Sequence, residues 1–139
     1  MVTRRLTVVL VSLLVAAACA GRGEDGSAGG TPSGPRPRST AALTILEPKP
    51  GQVVPGGTVT VKVDVQGATI LADPGMVSPK PDEGHVHLSL DGKTVSMAYG
   101  EEQQIEVKPG VHLLEAEFVA GDHFPFEPRV ARKTTFTAE

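Results

Sequence analysis

The run Thr58-Val59-Thr60-Val61-Lys62-Val63-Asp64-Val65 alternates strictly between valine and a polar side chain. Successive side chains of an extended strand point to opposite faces, so this pattern buries one face of a strand and leaves the other to solvent. No helical stripe of comparable length occurs, and short alternating runs recur between Gly, Pro and Asp clusters. The sequence predicts seven strands: Leu43 to Leu46, Thr58 to Val65, His85 to Leu90, Thr94 to Tyr99, Gln104 to Val107, His112 to Val119 and Val130 to Thr137. Seven short strands with a turn every ten residues or so suggest an all-β domain, specifically an immunoglobulin-like β-sandwich over residues 43–139. Residues 67–84, which contain Pro74, Pro79 and Pro81, read as one long loop, and Asp91-Gly92 reads as a hairpin turn.

The N-terminal part of the chain follows different rules. Arg4 and Arg5 precede an uncharged run from Leu6 to Ala18, which ends in Val15-Ala16-Ala17-Ala18-Cys19-Ala20-Gly21. The run matches a signal-peptide core and falls short of the about 20 apolar residues of a membrane span. It resembles a bacterial lipoprotein signal peptide ending in a lipobox. That resemblance implies cleavage after residue 18 and a lipid on the Cys19 thiol. It places the domain on the extracytoplasmic face of the plasma membrane. Two other readings stand beside it. A membrane span is opposed by the Gly-rich polar stretch that follows. A plain secreted protein cut after Ala18 would carry a free exposed thiol.

Residues 19–42, the lipidated cysteine and a Gly/Pro/Ser-rich stretch, read as a disordered tether. No large apolar residue occurs there to offset the entropy of ordering. The chain carries 13 basic and 16 acidic side chains, a formal net charge of −3. Loss of Arg4 and Arg5 with the leader makes the balance about −5, which excludes nucleic acid as the expected partner. Cys19 is the single cysteine. Its lipidation would leave no thiol for a disulfide, for redox chemistry or for a blue-copper site.

The remaining chemistry lies in histidine. In Gly84-His85-Val86-His87-Leu88-Ser89-Leu90, alternation points Val86, Leu88 and Leu90 inward and His85, His87 and Ser89 outward. The two imidazoles stand about 6.6 Å apart at the backbone, two strand steps, within reach of one ion. In the sandwich the third and sixth strands are antiparallel neighbours. That pairing brings His123, just past the sixth strand, and Glu117 to the same end, where Asp82, Glu83, Asp73 and Met76 of the long loop also arrive. His85, His87, His123 and Glu117 therefore form a candidate metal site, and its imidazole and carboxylate donors suit Zn²⁺ or Cu²⁺. The alternative is a solvated, weakly ion-paired patch without metal.

His112 has a different expectation. Val107-Lys108-Pro109-Gly110-Val111-His112 is similar to the corner of immunoglobulin-like sandwiches, where a ring side chain bonds back to upstream backbone. His112 also shares the inward face with Leu114, Ala116 and Phe118, so it reads as a structural residue. Phe124 and Phe126 flank Pro125, and one of them is expected to plug the end of the core.

Gly84-His85-Val86-His87-Leu88, Pro109-Gly110-Val111-His112-Leu113 and Gly121-Asp122-His123 together resemble a group of bacterial secreted domains. In those domains a Gly-His-His or His-x-His strand precedes a Pro-Gly-x-His strand and an Asp-His loop. The resemblance covers about residues 43–137. It implies a fold and a shared histidine pattern rather than an activity.

Ser89 lies on the face of His87, but no acid orients that histidine and no strained elbow surrounds the serine, so nucleophilic catalysis is not expected. Phosphate-binding and nucleotide fingerprints are absent. The expectation is a monomeric, non-catalytic binding module. One form of it holds a metal; the other contacts an envelope protein through its loops without an ion.

Overall fold

A computed structural model describes residues 34–73, 75 and 77–139; the leader, Cys19 and most of the expected tether lie outside the described residues. The described chain is all-β and forms two facing sheets. Its strands in chain order are β1 (Ala42–Glu47), β2 (Val53–Val54), β3 (Gly57–Gln66), β4 (Thr69–Ile70), β5 (Glu83–Leu90), β6 (Lys93–Ser96), β7 (Glu102–Val107), β8 (Gly110–Ala120) and β9 (Pro125–Ala138). The small sheet has the order β1-β3-β7; the large one runs β2-β9-β8-β5-β4, with β6 paired to β5.

All seven expected strands are present, and the expected third and sixth are antiparallel neighbours as β5 and β8. The two additional strands, β2 and β4, are two residues long and pair parallel to β9 and β5. Two residues are too few to show a period, which is why alternation does not reveal them. The expected fourth strand stops at Ser96.

The core forms where the inward rows of the two sheets meet. Val59, Val61 and Val63 of β3, with Leu43, Ile105 and Val107, face Val86 and Leu88 of β5 and Leu114, Ala116 and Phe118 of β8. Phe126 fills one end, its ring stacked on Phe118 at 5.7 Å between centroids. Phe126 is thus the plug, while Phe124 stays half-buried at the rim.

Three local features shape the large sheet. Asp91 and Gly92 both have positive φ, 51° and 83°, as a two-residue hairpin turn between twisted strands requires. Gly84 lies against β8, where a Cβ would collide with the Val119 carbonyl and the Phe118 ring, so only glycine lets β5 approach this closely. The β8–β9 ladder breaks between Phe118, opposite Val130, and Val119, opposite Pro125. Residues 126–129 of β9 form a bulge in which Phe126 turns into the core while Glu127, Pro128, which has no N–H to give to a ladder, and Arg129 stay exposed. The bulge makes β9 start earlier than alternation predicts.

Phe118→Ala removes a fully buried ring from this core. We expect it to cost about 3–5 kcal/mol in denaturant unfolding. A loss below about 1 kcal/mol would show that the stacked ring pair does not organise the core.

Candidate metal centre

The register of β5 and β8 builds the site. His85 lies opposite Val119, and His87 opposite Glu117. With Val86 and Leu88 committed to the core, both imidazoles project from the other face of the sheet. His123 arrives from the tight connection between β8 and β9. There the Ala120 amide bonds to the Phe124 carbonyl at 3.1 Å, and the His123 amide to the Ala120 carbonyl at 2.9 Å. His123 has φ 65°, a left-handed conformation uncommon outside glycine and several-fold enriched in His, Asn and Asp. This geometry turns its ring back over the sheet.

The three rings converge. Centroids lie 4.8 Å apart for His85 and His87, 4.5 Å for His85 and His123, and 5.8 Å for His87 and His123. One nitrogen from each falls within 4.8 Å of the others. A tetrahedral ion with 2.0–2.1 Å bonds holds its nitrogens about 3.4 Å apart, so closure onto an ion needs ring movements on the order of 1 Å. The facing His85 and His87 Nε2 atoms, 2.9 Å apart, show the reverse strain. Both can present lone pairs there only with a cation between them; otherwise one must donate to the other.

The outward face is less exposed than alternation predicts: His85 is fully buried. Tyr99 covers it, with ring centroids 5.5 Å apart. The Tyr99 loop is held in turn by Gln103, a buried side chain of the small sheet. Its amide donates to the carbonyls of Val86, Ala98 and Gly100 at 3.3–3.4 Å. In Glu102-Gln103-Gln104-Ile105-Glu106-Val107, Gln103 is the one polar residue on the inward face, a signal that alternation contains. Burial is the main force depressing His85, to a pKa of about 4, followed by His87 and His123. Burial and then His123 also lower His87, against an opposing pull from Glu117. Both rings are therefore neutral at pH 7, the form that ligates metal. The Nδ1 of His85 is buried without a hydrogen-bond partner, a defect that native interiors rarely leave unused.

Glu117 sits beside His87 as the strand pairing predicts, but it is not among the three converging groups. Arg129, thrown outward by the β9 bulge, clamps both of its oxygens, with Nε donating to Oε1 at 2.6 Å. The ion pair at this position is with arginine rather than an imidazole. Glu83 accepts from Lys80 at 2.9 Å and Asp82 is exposed. Met76 lies outside the described residues.

Arg36 is a further contributor that composition does not reveal. Residues 34–41, read as tether, are docked on the domain. The Thr40 amide donates to the Pro81 carbonyl, and the Pro37 carbonyl accepts from the Glu127 amide. Arg36 grips Asp122 with both carboxylate oxygens engaged, at 2.5 and 2.9 Å. The ordered domain therefore begins before Leu43.

His112 bonds back to upstream backbone. Its Nε2 lies 2.8 Å from the Lys108 carbonyl and its Nδ1 2.7 Å from Asp91 Oδ2. Both partners are acceptors, so the ring satisfies them together only as the doubly protonated cation. Asp91, chiefly, and Lys108 hold its pKa above the ordinary 6.5. The Leu113 amide and then His112 hold Asp91 below the usual carboxylate value. Comparison with protein-family models and with curated proteins finds no match to this chain.

These shifts have opposite consequences for stability. His112 stabilises fully below about pH 6.5 and loses its contribution as pH rises through its raised folded value. Asp91 contributes fully above about pH 4 and loses its contribution as pH falls through its depressed one. His85 and His87 resist protonation when folded, so acidification below about pH 6.5 destabilises the domain. Thermal melting across pH should show a decline on both sides, and His112→Gln should abolish the alkaline decline and weaken the share of the acid decline that Asp91 contributes. An unchanged alkaline limb would show that His112 and Asp91 are not linked in this way.

Proposed function

We propose that this protein is a membrane-anchored, extracytoplasmic metal-binding module that holds Zn²⁺ or Cu²⁺ through His85, His87 and His123. The observation that carries the proposal is the convergence of three imidazoles, one of them fully buried. A solvated histidine patch has no reason to bury His85 or to depress its pKa by desolvation. Three imidazole ligands leave a fourth position open on a tetrahedral ion, for water or a donor from a partner. Such a site holds Cu²⁺ more tightly than Zn²⁺, following the general order of divalent affinities. The role is binding rather than catalysis: among the described residues, Glu117, the carboxylate opposite His87 in the strand ladder, is neutralised by Arg129.

Calorimetric titration of the detergent-solubilised full chain with Zn²⁺ and Cu²⁺ tests the site. We expect micromolar or tighter binding of one ion, lost in His85→Ala/His87→Ala. Absence of binding, or binding that the double variant retains, would contradict it and leave the metal-free interaction module as the reading.

The anchor is proposed from the leader and Cys19. Growth with a radioactive fatty acid should label the wild-type protein and not Cys19→Ser. Equal label in both would refute lipidation at this residue.

A further inference from the structure

The geometry points to Arg36 as the positioning residue of this site: it fixes the turn that carries His123 and so ties the segment leading into the domain to the metal ligands. The inference rests on the metal-binding reading above and adds to it a residue that touches no imidazole.

Of the three ligands, two are placed by the β5 ladder and one is not. His85 and His87 inherit their positions from seven consecutive pairs with β8. His123 sits in a four-residue connection and in a left-handed conformation. The local backbone bonds of that connection run between Ala120, His123 and Phe124, and Asp122 Oδ1 accepts from the Phe124 amide at 3.2 Å. A short turn of this kind opens readily unless something outside it holds its shape.

Arg36 supplies that hold. Its guanidinium spends its donors on this one turn. Two go to the Asp122 carboxylate, one to the Phe124 carbonyl at 2.9 Å and one to the Pro125 carbonyl at 2.8 Å. It also lies over the Phe124 ring, 5.7 Å from the centroid. The residues before and after His123 are thereby fixed to one planar group, and both charged partners are largely buried, with side chains 14% and 18% exposed. A bidentate arginine–carboxylate pair sheltered from water defines an orientation as well as a distance, which a lysine cannot reproduce. Outer partners that orient metal ligands typically contribute 10–100-fold in affinity.

The coupling must act in both directions. If docked Arg36 strengthens metal binding, bound metal strengthens the docking of the segment around Arg36 by the same factor. That segment makes the Pro37–Glu127 and Thr40–Pro81 backbone bonds, whose amides report on it.

The test compares the full chain in detergent with Arg36→Ala, Arg36→Lys and Asp122→Asn, each with a folded domain verified by circular dichroism. Calorimetry with Zn²⁺ alone should show affinity lowered 10–100-fold in Arg36→Ala, with partial recovery in Arg36→Lys. Cu²⁺-loaded samples, read by pulsed electron paramagnetic resonance, should fall from three coordinated imidazoles to two. Zn²⁺ should slow exchange of the Glu127 and Thr40 amides in wild type and not in Arg36→Ala. Should Arg36→Ala fail to fold, Asp122→Asn carries the same expectations, because it removes the charge and keeps the shape. Unchanged affinity with three imidazoles in a folded variant would overturn the inference. If wild type binds no metal, the reading of the preceding section fails. The positioning role is then decided in the metal-free protein: the nuclear Overhauser contact between the His123 and His85 rings supports it if lost in Arg36→Ala and overturns it if kept.

Discussion

The antiparallel ladder between β5 and β8 sets both faces of the large sheet at once. A strand has a period of two, so the register that buries Val86 and Leu88 against Leu114, Ala116 and Phe118 also commits His85 and His87 to the opposite face. A slip of one residue would drive two imidazoles into the core and expose Val86, Leu88 and Leu90. Core packing therefore enforces the placement of the histidines, and Gly84, where any Cβ would strike β8, brings the two strands close at that end.

The rest of the centre is built by what covers this ladder. Gln103 reaches from the small sheet to hold the Tyr99 loop over His85. The bulge in β9 frees Arg129 to neutralise Glu117. Arg36 holds the turn of His123. Together these polar side chains surround the outward face of the ladder, where His85 is buried and His87 and His123 are half-buried. His112 and Asp91, at the other end of β5 and β8, show the opposite electrostatics: two acceptors around one ring raise its pKa, whereas burial among rings lowers that of His85.

Much of this arrangement was legible in the sequence, and the legible part is what periodicity controls. Alternation from Thr58 to Val65 and from Gly84 to Leu90 gave the strands, their buried faces and the shared face of His85 and His87. Asp91-Gly92 gave its turn. The neighbour rule for sandwich strands brought His123 and Glu117 to the correct end. What escaped has no period. Arg36 lies between prolines in a stretch whose composition reads as linker, and one bidentate ion pair overrides that composition. The inward place of Gln103 was readable from alternation, but its reach across to the Val86, Ala98 and Gly100 carbonyls, which holds the Tyr99 loop near His85, was not. Glu117 was correctly placed and differently employed, because the four-residue bulge that delivers Arg129 cannot be read from an irregular run of Pro, Phe and Glu.

X-ray absorption spectroscopy of the Zn²⁺-loaded chain tests the central claim most directly, since it counts the donors around the ion. Convergence of His85, His87 and His123 predicts a first shell with three imidazole nitrogens at about 2.0–2.1 Å and one further donor such as a water oxygen. A shell of oxygens with at most one imidazole would contradict it, and the histidine face would then be a surface that holds no ion.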